Sequence, residues 1–299
     1  ATVALVRTTN RAEGVRRALT LLGINPVRGQ RVLLKPNYNS AEAAPASTHP
    51  AVLRTLLQSL QEMGARAITI GERSGMGDTR QVLRQTGVFD VAADLGCETA
   101  VFDELATGDW TIYQESDFHW GQGFAIPKML LDAECVVQTC NLKTHKYGGH
   151  FTLSLMNSIG FVARTTSNAG YNYMSELHSS PHQRKMIAEI NEPFKPALVV
   201  LDGVDAFVDG GPMVGTRKKA GIFLASTDRV ATDAVGVAIL KSLGSNAAIM
   251  KPKIFEQEQI ARAAELGLGS ASASDIDLVA GDEDSGEYAD RIIGVLKQG

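Results

Sequence analysis

Three short runs of this 299-residue sequence carry side chains able to hold an anion and move a proton. The densest is Asn141-Leu-Lys143-Thr-His145, followed by Lys146 and the pair Gly148-Gly149. His145 is the candidate for proton transfer or metal binding, because imidazole titrates near neutrality. Lys143 is its candidate catalytic partner, a point charge whose pKa moves readily on burial. After the glycines, residues 151–157 read as the start of a helix, and helix N-termini offer free N–H groups and a positive dipole end to an anion. The other two runs are Lys35-Pro-Asn37 and Gly71-Glu72-Arg73-Ser74. Lys35 and Arg73 supply cations, and Asn37, Ser74, Asn141 and Asn157 supply hydrogen bonds. Glu72 pairs with Arg73 at the surface or faces the ligand. Asp202, before Gly203, is a turn residue, a metal ligand or the group that orients His145. Asp233 lies in a helix otherwise made of Val and Ala, where a carboxylate facing the core needs a partner, so it reads as exposed. His178 and His182 have the i, i+4 spacing of metal ligands, but Pro181 reads as a helix start between them.

The elements that must position these residues follow from periodicity. Residues 2–7, 31–35, 65–70 and 98–102 read as strands, separated by helical stretches over 10–23, 48–64 and 78–95. Asn10 caps the first helix, with Glu13 as the returning partner of a capping box. Ser47 or Thr48 caps the second, with Pro50 in its first turn, and Asp78 caps the third. This alternation calls for a parallel sheet with right-handed crossovers. Residues 104–128 break the rhythm as a small hairpin. A strand at 134–139 leads into the His145 run, and residues 162–180 read as an aperiodic polar loop of the length that often forms a lid. Strands at 196–201, 221–225 and 275–279 follow, with helices at 181–190, 228–243, 255–266 and 288–297. The fold class is α/β, a mostly parallel sheet with helices on both faces. It is divided into lobes 1–140 and 141–299 around a cleft, or built as one intertwined domain. In open sheets of this kind, ligands bind beyond the carboxyl ends of the strands. The three runs, Asp202-Gly203 and Ser226-Thr-Asp228 are therefore expected to meet at one rim.

Composition narrows the function. A net charge of -4 argues against a general nucleic-acid binder, and a local cationic site in an acidic protein points to a small anionic molecule as partner. Three cysteines, Cys97, Cys135 and Cys140, form no C-x-x-C pair, which excludes an iron–sulfur cluster and a zinc ribbon and leaves all three as buried thiols. No apolar run reaches the length of a membrane span. The dinucleotide, Walker and nucleophile-elbow signatures are absent. The chain opens on Ala1 without an initiator Met, so a soluble cytoplasmic protein and an exported one with its signal peptide removed both stay open.

The runs also have a familiar order. Val32-Leu-Leu-Lys-Pro-Asn37, Thr48-His-Pro50, Gly71-Glu-Arg-Ser-Gly75, Asn141-Leu-Lys-Thr-His145, Asn157-Ser-Ile-Gly160, Leu201-Asp-Gly203 and Ser226-Thr-Asp-Arg-Val-Ala-Thr-Asp233 together resemble the family known as domain of unknown function 362. Some members of that family are fused to ferredoxin-like modules, which implies redox chemistry, and its pattern places a lysine where this chain has Met156. A more distant similarity, in His145 and Gly148-Gly149, is to the lactate racemases, which use a nickel-pincer nucleotide. That likeness implies two lobes with the His145 run lining the cleft. The combined expectation is an α/β protein that holds a small anionic ligand or cofactor at strand carboxyl ends. It acts as a metal- or cofactor-dependent isomerase or redox enzyme, or it binds without catalysis. The cofactor implied is a divalent metal or an anionic, nucleotide-like group.

Overall fold

The protein is described from a computed structural model covering residues 1–165 and 170–299. Its strands are β1 (Thr2–Arg7), β2 (Arg31–Lys35), β3 (Ala67–Glu72), β4 (Glu98–Val101), β5 (Trp110–Tyr113), β6 (Phe124–Pro127), β7 (Cys135–His145), β8 (His150–Thr152), β9 (Leu198–Gly210), β10 (Gly215–Ser226) and β11 (Asp277–Ala280). Nine of them form one sheet in the order β11-β1-β10-β9-β7-β2-β3-β4, with β8 paired to β7, and β5-β6 form a separate hairpin. β2, β3, β4, β7 and β9 run parallel, as do β1 and β11. β10 is antiparallel to both its neighbours, so the sheet is mixed but mostly parallel.

Both faces of the sheet are covered. The helices Arg11–Leu22 and Pro50–Glu62 bury Val15, Ala18, Leu53, Leu56 and Leu60 against one face, on alternate residues such as Val32, Leu34 and Val137. The long apolar helix Arg229–Ser242 covers the opposite face, against Leu201, Ile222 and Leu224. Each fully buried large side chain of this kind contributes roughly 1.5–3 kcal/mol. Strands of both chain halves share the sheet: β1 lies between β10 and β11, and β7 passes through residues 140 and 141 unbroken.

Local structure departs from the sequence pattern in informative places. Asn10 does cap the first helix, accepting from the Glu13 amide, but the Glu13 side chain turns to Arg17 rather than back to Asn10. The second helix is capped by His49 Nδ1, which accepts from the Ala51 amide at 3.1 Å. Thr48 is occupied elsewhere, its hydroxyl accepting from the Asn37 amide at 2.8 Å. Part of the expected aperiodic loop is the helix Tyr173–Ser179, capped by Asn172, while residues 166–169 lie outside the described residues. Cys135 and Cys140 are buried, whereas Cys97 is half-exposed.

The largest departure concerns the His145 run. Asn141 to His145 do not leave the sheet. They extend β7 to eleven residues, and the chain turns at 146–149 and returns as β8, with His145 opposite His150. Gly148, at φ +86°, supplies the left-handed residue in that turn. The glycine pair is therefore a hairpin turn and not a helix N-terminus. The helix that does follow, Ser154–Asn157, has its first amides taken by a carboxylate of the protein itself.

Candidate functional site

The carboxyl ends of β2, β3 and β7 open into one pocket of about 850 Å³, counting its open mouth. Lys35, Asn37, Glu72, Arg73, His145 and Asn157 all line it, so six of the predicted residues meet. Lys143, Asn141, Ser74 and Asp202 do not. Lys143 lies directly behind Asn37, donating to Asn37 Oδ1 at 2.6 Å and to the Ala46 carbonyl. The Asn141 amide donates to the Ser47 carbonyl at 3.4 Å, and the Ser74 hydroxyl to the Tyr38 carbonyl at 2.7 Å. Asp202 is mid-strand in β9 and paired with Arg11 Nε at 2.8 Å, away from His145. Ser226 pairs with Val199 and Val3, at the starts of their strands, so the Ser226–Asp228 cluster sits at the opposite rim.

The floor is a continuous buried chain of polar groups. Lys35 Nζ lies 2.7 Å from Glu72 Oε1 and donates to Asn157 Oδ1 at 3.2 Å and to the Pro36 carbonyl at 2.7 Å. Asn37 Nδ2 donates to the same Asn157 Oδ1 at 3.2 Å, and Asn157 Nδ2 to the Thr139 carbonyl at 3.1 Å. Glu72 accepts further from the Tyr38 and Arg73 amides. Burial pushes the Glu72 carboxyl up and the Lys35 amine down, and their mutual attraction opposes both shifts. Arg73 is spent on the protein, donating to the Val162 and Ile159 carbonyls at 2.6 and 2.8 Å, and burial lowers its pKa to about 10. Gly160 presses its backbone onto this floor. A methyl group there would stand 2.6 Å from both Lys35 Nζ and Glu72 Oε1. Gly160→Ala is accordingly expected to lower stability by about 1–3 kcal/mol, the usual range for an overpacked interior. A urea-melt midpoint unchanged from wild type would show that the floor is slack.

Lys143 and His145 are both held toward neutrality. Burial, then the neighbouring Lys35 charge, lowers the Lys143 amine to about 7, with Cys140 and Glu72 opposing. Among the described residues Lys143 has no carboxylate partner. Burial and the Lys143 charge lower the half-buried His145 to about 3. Among the described residues its Nδ1 is buried without a hydrogen-bond partner. A ring held neutral at pH 7 is ready to bond to a ligand group or a metal without competition from protons. The Lys143 shift gives a signed expectation. An amine with a folded-state value near 7 and an unfolded value near 10.5 is protonated only in the unfolded state between those limits, so stability rises with pH across that window. Relative to Lys143→Met, the wild type should gain on the order of 2–4 kcal/mol between pH 6.5 and 10. Parallel denaturation curves at the two pH values would show no such burial penalty.

Three further side chains of the wall, Arg164, Met174 and His178, come from the stretch read as a loop. Arg164 is exposed and donates weakly to the Ser74 and Gly75 carbonyls at 3.4 Å. Among the described residues it has no carboxylate partner. With Lys35, Arg73 and Arg164 against Glu72 alone, the lining carries a surplus of positive charge in a protein of net charge -4. Among the described residues, no group of three or more His, Cys, Asp or Glu side chains is arranged to hold a metal.

The sequence profile of one family matches residues 32–238, a span that contains every residue of the pocket lining. The chain belongs to the DUF362 family, a domain of unknown function. The thylakoid-associated protein sll1697 of Synechocystis sp. is 27% identical over 215 residues, which cover 71% of this chain and 64% of that protein, less than two thirds of its length. The lactate racemase apoprotein from Thermoanaerobacterium thermosaccharolyticum is similar with a TM-score of 0.46 at 11% identity, over 98% of this chain and 86% of that one. Between Lys146 and Lys185 the DUF362 chain contains no lysine. Met156 lines the pocket there, its sulfur 3.0 Å from the Thr152 hydroxyl.

The DUF362 motif around residue 230 proves structural. Asp233, expected at the surface, is fully buried. Its partner is the segment that carries Asn157: Oδ1 accepts from the Ser154 amide at 2.8 Å and hydroxyl at 2.5 Å, and Oδ2 from the Leu155 amide at 3.0 Å. Arg229, also buried, donates to Asn191 Oδ1 at 2.9 Å, and Asn191 Oδ1 accepts from the Ser158 hydroxyl at 2.7 Å. One turn of the helix Arg229–Ser242 thus seats the short helix beneath the pocket, and a carboxylate and a guanidinium spaced i, i+4 were the signal for it.

Proposed function

We propose that this protein binds a small anionic molecule at the carboxyl ends of β2, β3 and β7, with the charged end of the ligand on Arg164 and a polar group of the ligand facing His145 Nδ1. What supports this reading is the convergence of three strand ends on a positively charged pocket in which the exposed Arg164 guanidinium makes only two weak backbone contacts and His145 Nδ1 has no partner among the described residues. Buried polar atoms are otherwise paired in folded proteins, so an unpaired one at a pocket wall marks where a ligand atom belongs. The Glu72–Lys35–Asn157–Asn37–Lys143 chain below it fixes the floor and holds a charge whose proton affinity responds to whatever anion sits above. In this reading His145 exchanges a proton with the bound ligand, because an anion beside it raises its pKa from the present low value. Catalysis of an isomerisation or redox step belongs to the same proposal and adds to the binding reading.

The test is calorimetric titration of the intact chain with orthophosphate and with acetate at pH 7. Arg164→Ala is expected to weaken binding about threefold to tenfold, the worth of one partly exposed charge-assisted contact. His145→Ala should weaken it as well and reduce the proton uptake that accompanies binding to the share of the floor. Equal affinities in wild type and both variants would place the ligand elsewhere.

A further inference from the structure

Half of the chain's methionines are in this pocket. Met76, Met156, Met174 and Met213 line it, of eight in the sequence, and they come from four separate segments: the loop after β3, the helix Ser154–Asn157, the helix Tyr173–Ser179 and the β9–β10 turn. Met76 and Tyr147 remain 48% exposed at the mouth, and the Tyr147 ring stands edge-on to the His145 imidazole with centroids 5.8 Å apart. The site therefore has two unlike parts. Its floor and Arg164 are cationic and polar. Its wall is a set of flexible thioethers with one phenol ring at the rim. A bare inorganic anion would satisfy the first part and leave the second in water.

We propose that the ligand of this pocket is an aromatic carboxylate, its charged group on Arg164 and its ring against the methionine wall. The inference rests on the small-anion reading above and names the chemical class. Thioether sulfurs make favourable contacts with ring edges and faces, and unbranched methionine side chains adapt to a flat body that rigid aliphatic walls would fit poorly. His145 lines the same pocket, and its buried Nδ1, without a partner among the described residues, selects a ring bearing a polar substituent.

Four probes separate the claims in one calorimetric series on the full chain at pH 7: orthophosphate, acetate, cyclohexanecarboxylate and benzoate. Benzoate is expected to bind at least about tenfold more tightly than acetate, from the apolar area it covers, and about threefold to tenfold more tightly than cyclohexanecarboxylate, from the sulfur–ring contacts. Met213→Ala and Met76→Ala, both at the rim, should bring benzoate and cyclohexanecarboxylate to within about twofold of each other. If benzoate gains nothing over acetate, or nothing over cyclohexanecarboxylate, the aromatic assignment is overturned while the small-anion site stands. If none of the four binds at millimolar concentration, both are overturned. If the methionine variants keep the full preference for benzoate, the ring does not lie on the thioether wall and the assignment is wrong.

Discussion

Replacing Glu72 with Gln is expected to destabilise the protein by about 3–5 kcal/mol at pH 7, the range for breaking a buried ion pair from one side. Lys35 and Glu72 are each about 1% exposed, and the amine has no second carboxylate within reach among the described residues. In Glu72→Gln the charge on Lys35 stays buried with neutral oxygens alone as acceptors, Asn157 Oδ1, the Pro36 carbonyl and the new side-chain amide oxygen. The amine escapes by shedding its proton, and that fixes the sign of the pH dependence. The folded-state pKa of Lys35 is already lowered by burial, and removal of Glu72, which raises it, lowers it further. The unfolded chain then holds the proton over a wider span of pH than the folded chain, so the deficit of Glu72→Gln shrinks as pH rises toward the unfolded value. Urea denaturation at pH 7 and pH 9.5 reads both effects. The double variant Lys35→Met, Glu72→Gln should recover most of the loss, since two neutral side chains leave no buried charge. A single variant within about 1 kcal/mol of wild type at pH 7 would mean that the pair is already neutral in the native protein.

Which parts of this architecture could be read from the sequence depends on how far each signal reaches along the chain. Strand ends at Lys35 and Glu72 were legible because an apolar run, a polar cluster and a capped helix follow one another within a few residues, and parallel crossovers then force both ends to one rim. The His145 run was expected at this rim, and His145 does line the pocket there, but the local structure expected around it was partly wrong. Gly148-Gly149 before an apolar segment fits a helix start and a tight hairpin equally, and it is pairing on both sides, with the returning β8 and with the long β9 arm at Phe207, that makes the strand continue. Ser226 to Asp228 failed to join the rim because strand direction is decided by the neighbours, and β10 returns antiparallel from a turn at 211–214 that nothing in its own apolar pattern distinguishes. Arg164 was hidden in a stretch without period, where a lone arginine looks like solvated surface. Asp233 was misread for an energetic reason that was half correct. A carboxylate in an apolar helix does need partners, but they come from residues 154 and 155, far off in sequence and invisible to any local pattern.

That same carboxylate carries the second large expectation. Asp233→Ala removes the acceptor of two buried amides and a hydroxyl at once, and each orphaned buried donor costs about 1–3 kcal/mol, so a loss of about 3–5 kcal/mol is expected. Ser154→Ala, which removes only the hydroxyl donor and leaves both amide bonds to Asp233, should cost about 1 kcal/mol and serves as the control. Burial raises the Asp233 carboxyl to about 7, against the pull of Ser154, Leu155 and Arg229. With a folded value above the unfolded value of 3.8, the folded protein holds the proton across that interval, and the stability Asp233 contributes falls as pH rises through it. The deficit of Asp233→Ala should therefore be larger at pH 5 than at pH 8. A structural role alone would end there. Because the clamped segment ends in Asn157, whose Oδ1 ties Lys35 to Asn37, loosening it should also disturb the pocket floor. Folded Asp233→Ala at low temperature is thus expected to bind orthophosphate or benzoate about tenfold more weakly than wild type, a displacement effect of the size seen when supporting groups of a site are removed. Unchanged affinity in a destabilised but folded variant would separate the clamp from the site and leave Asp233 with the fold alone.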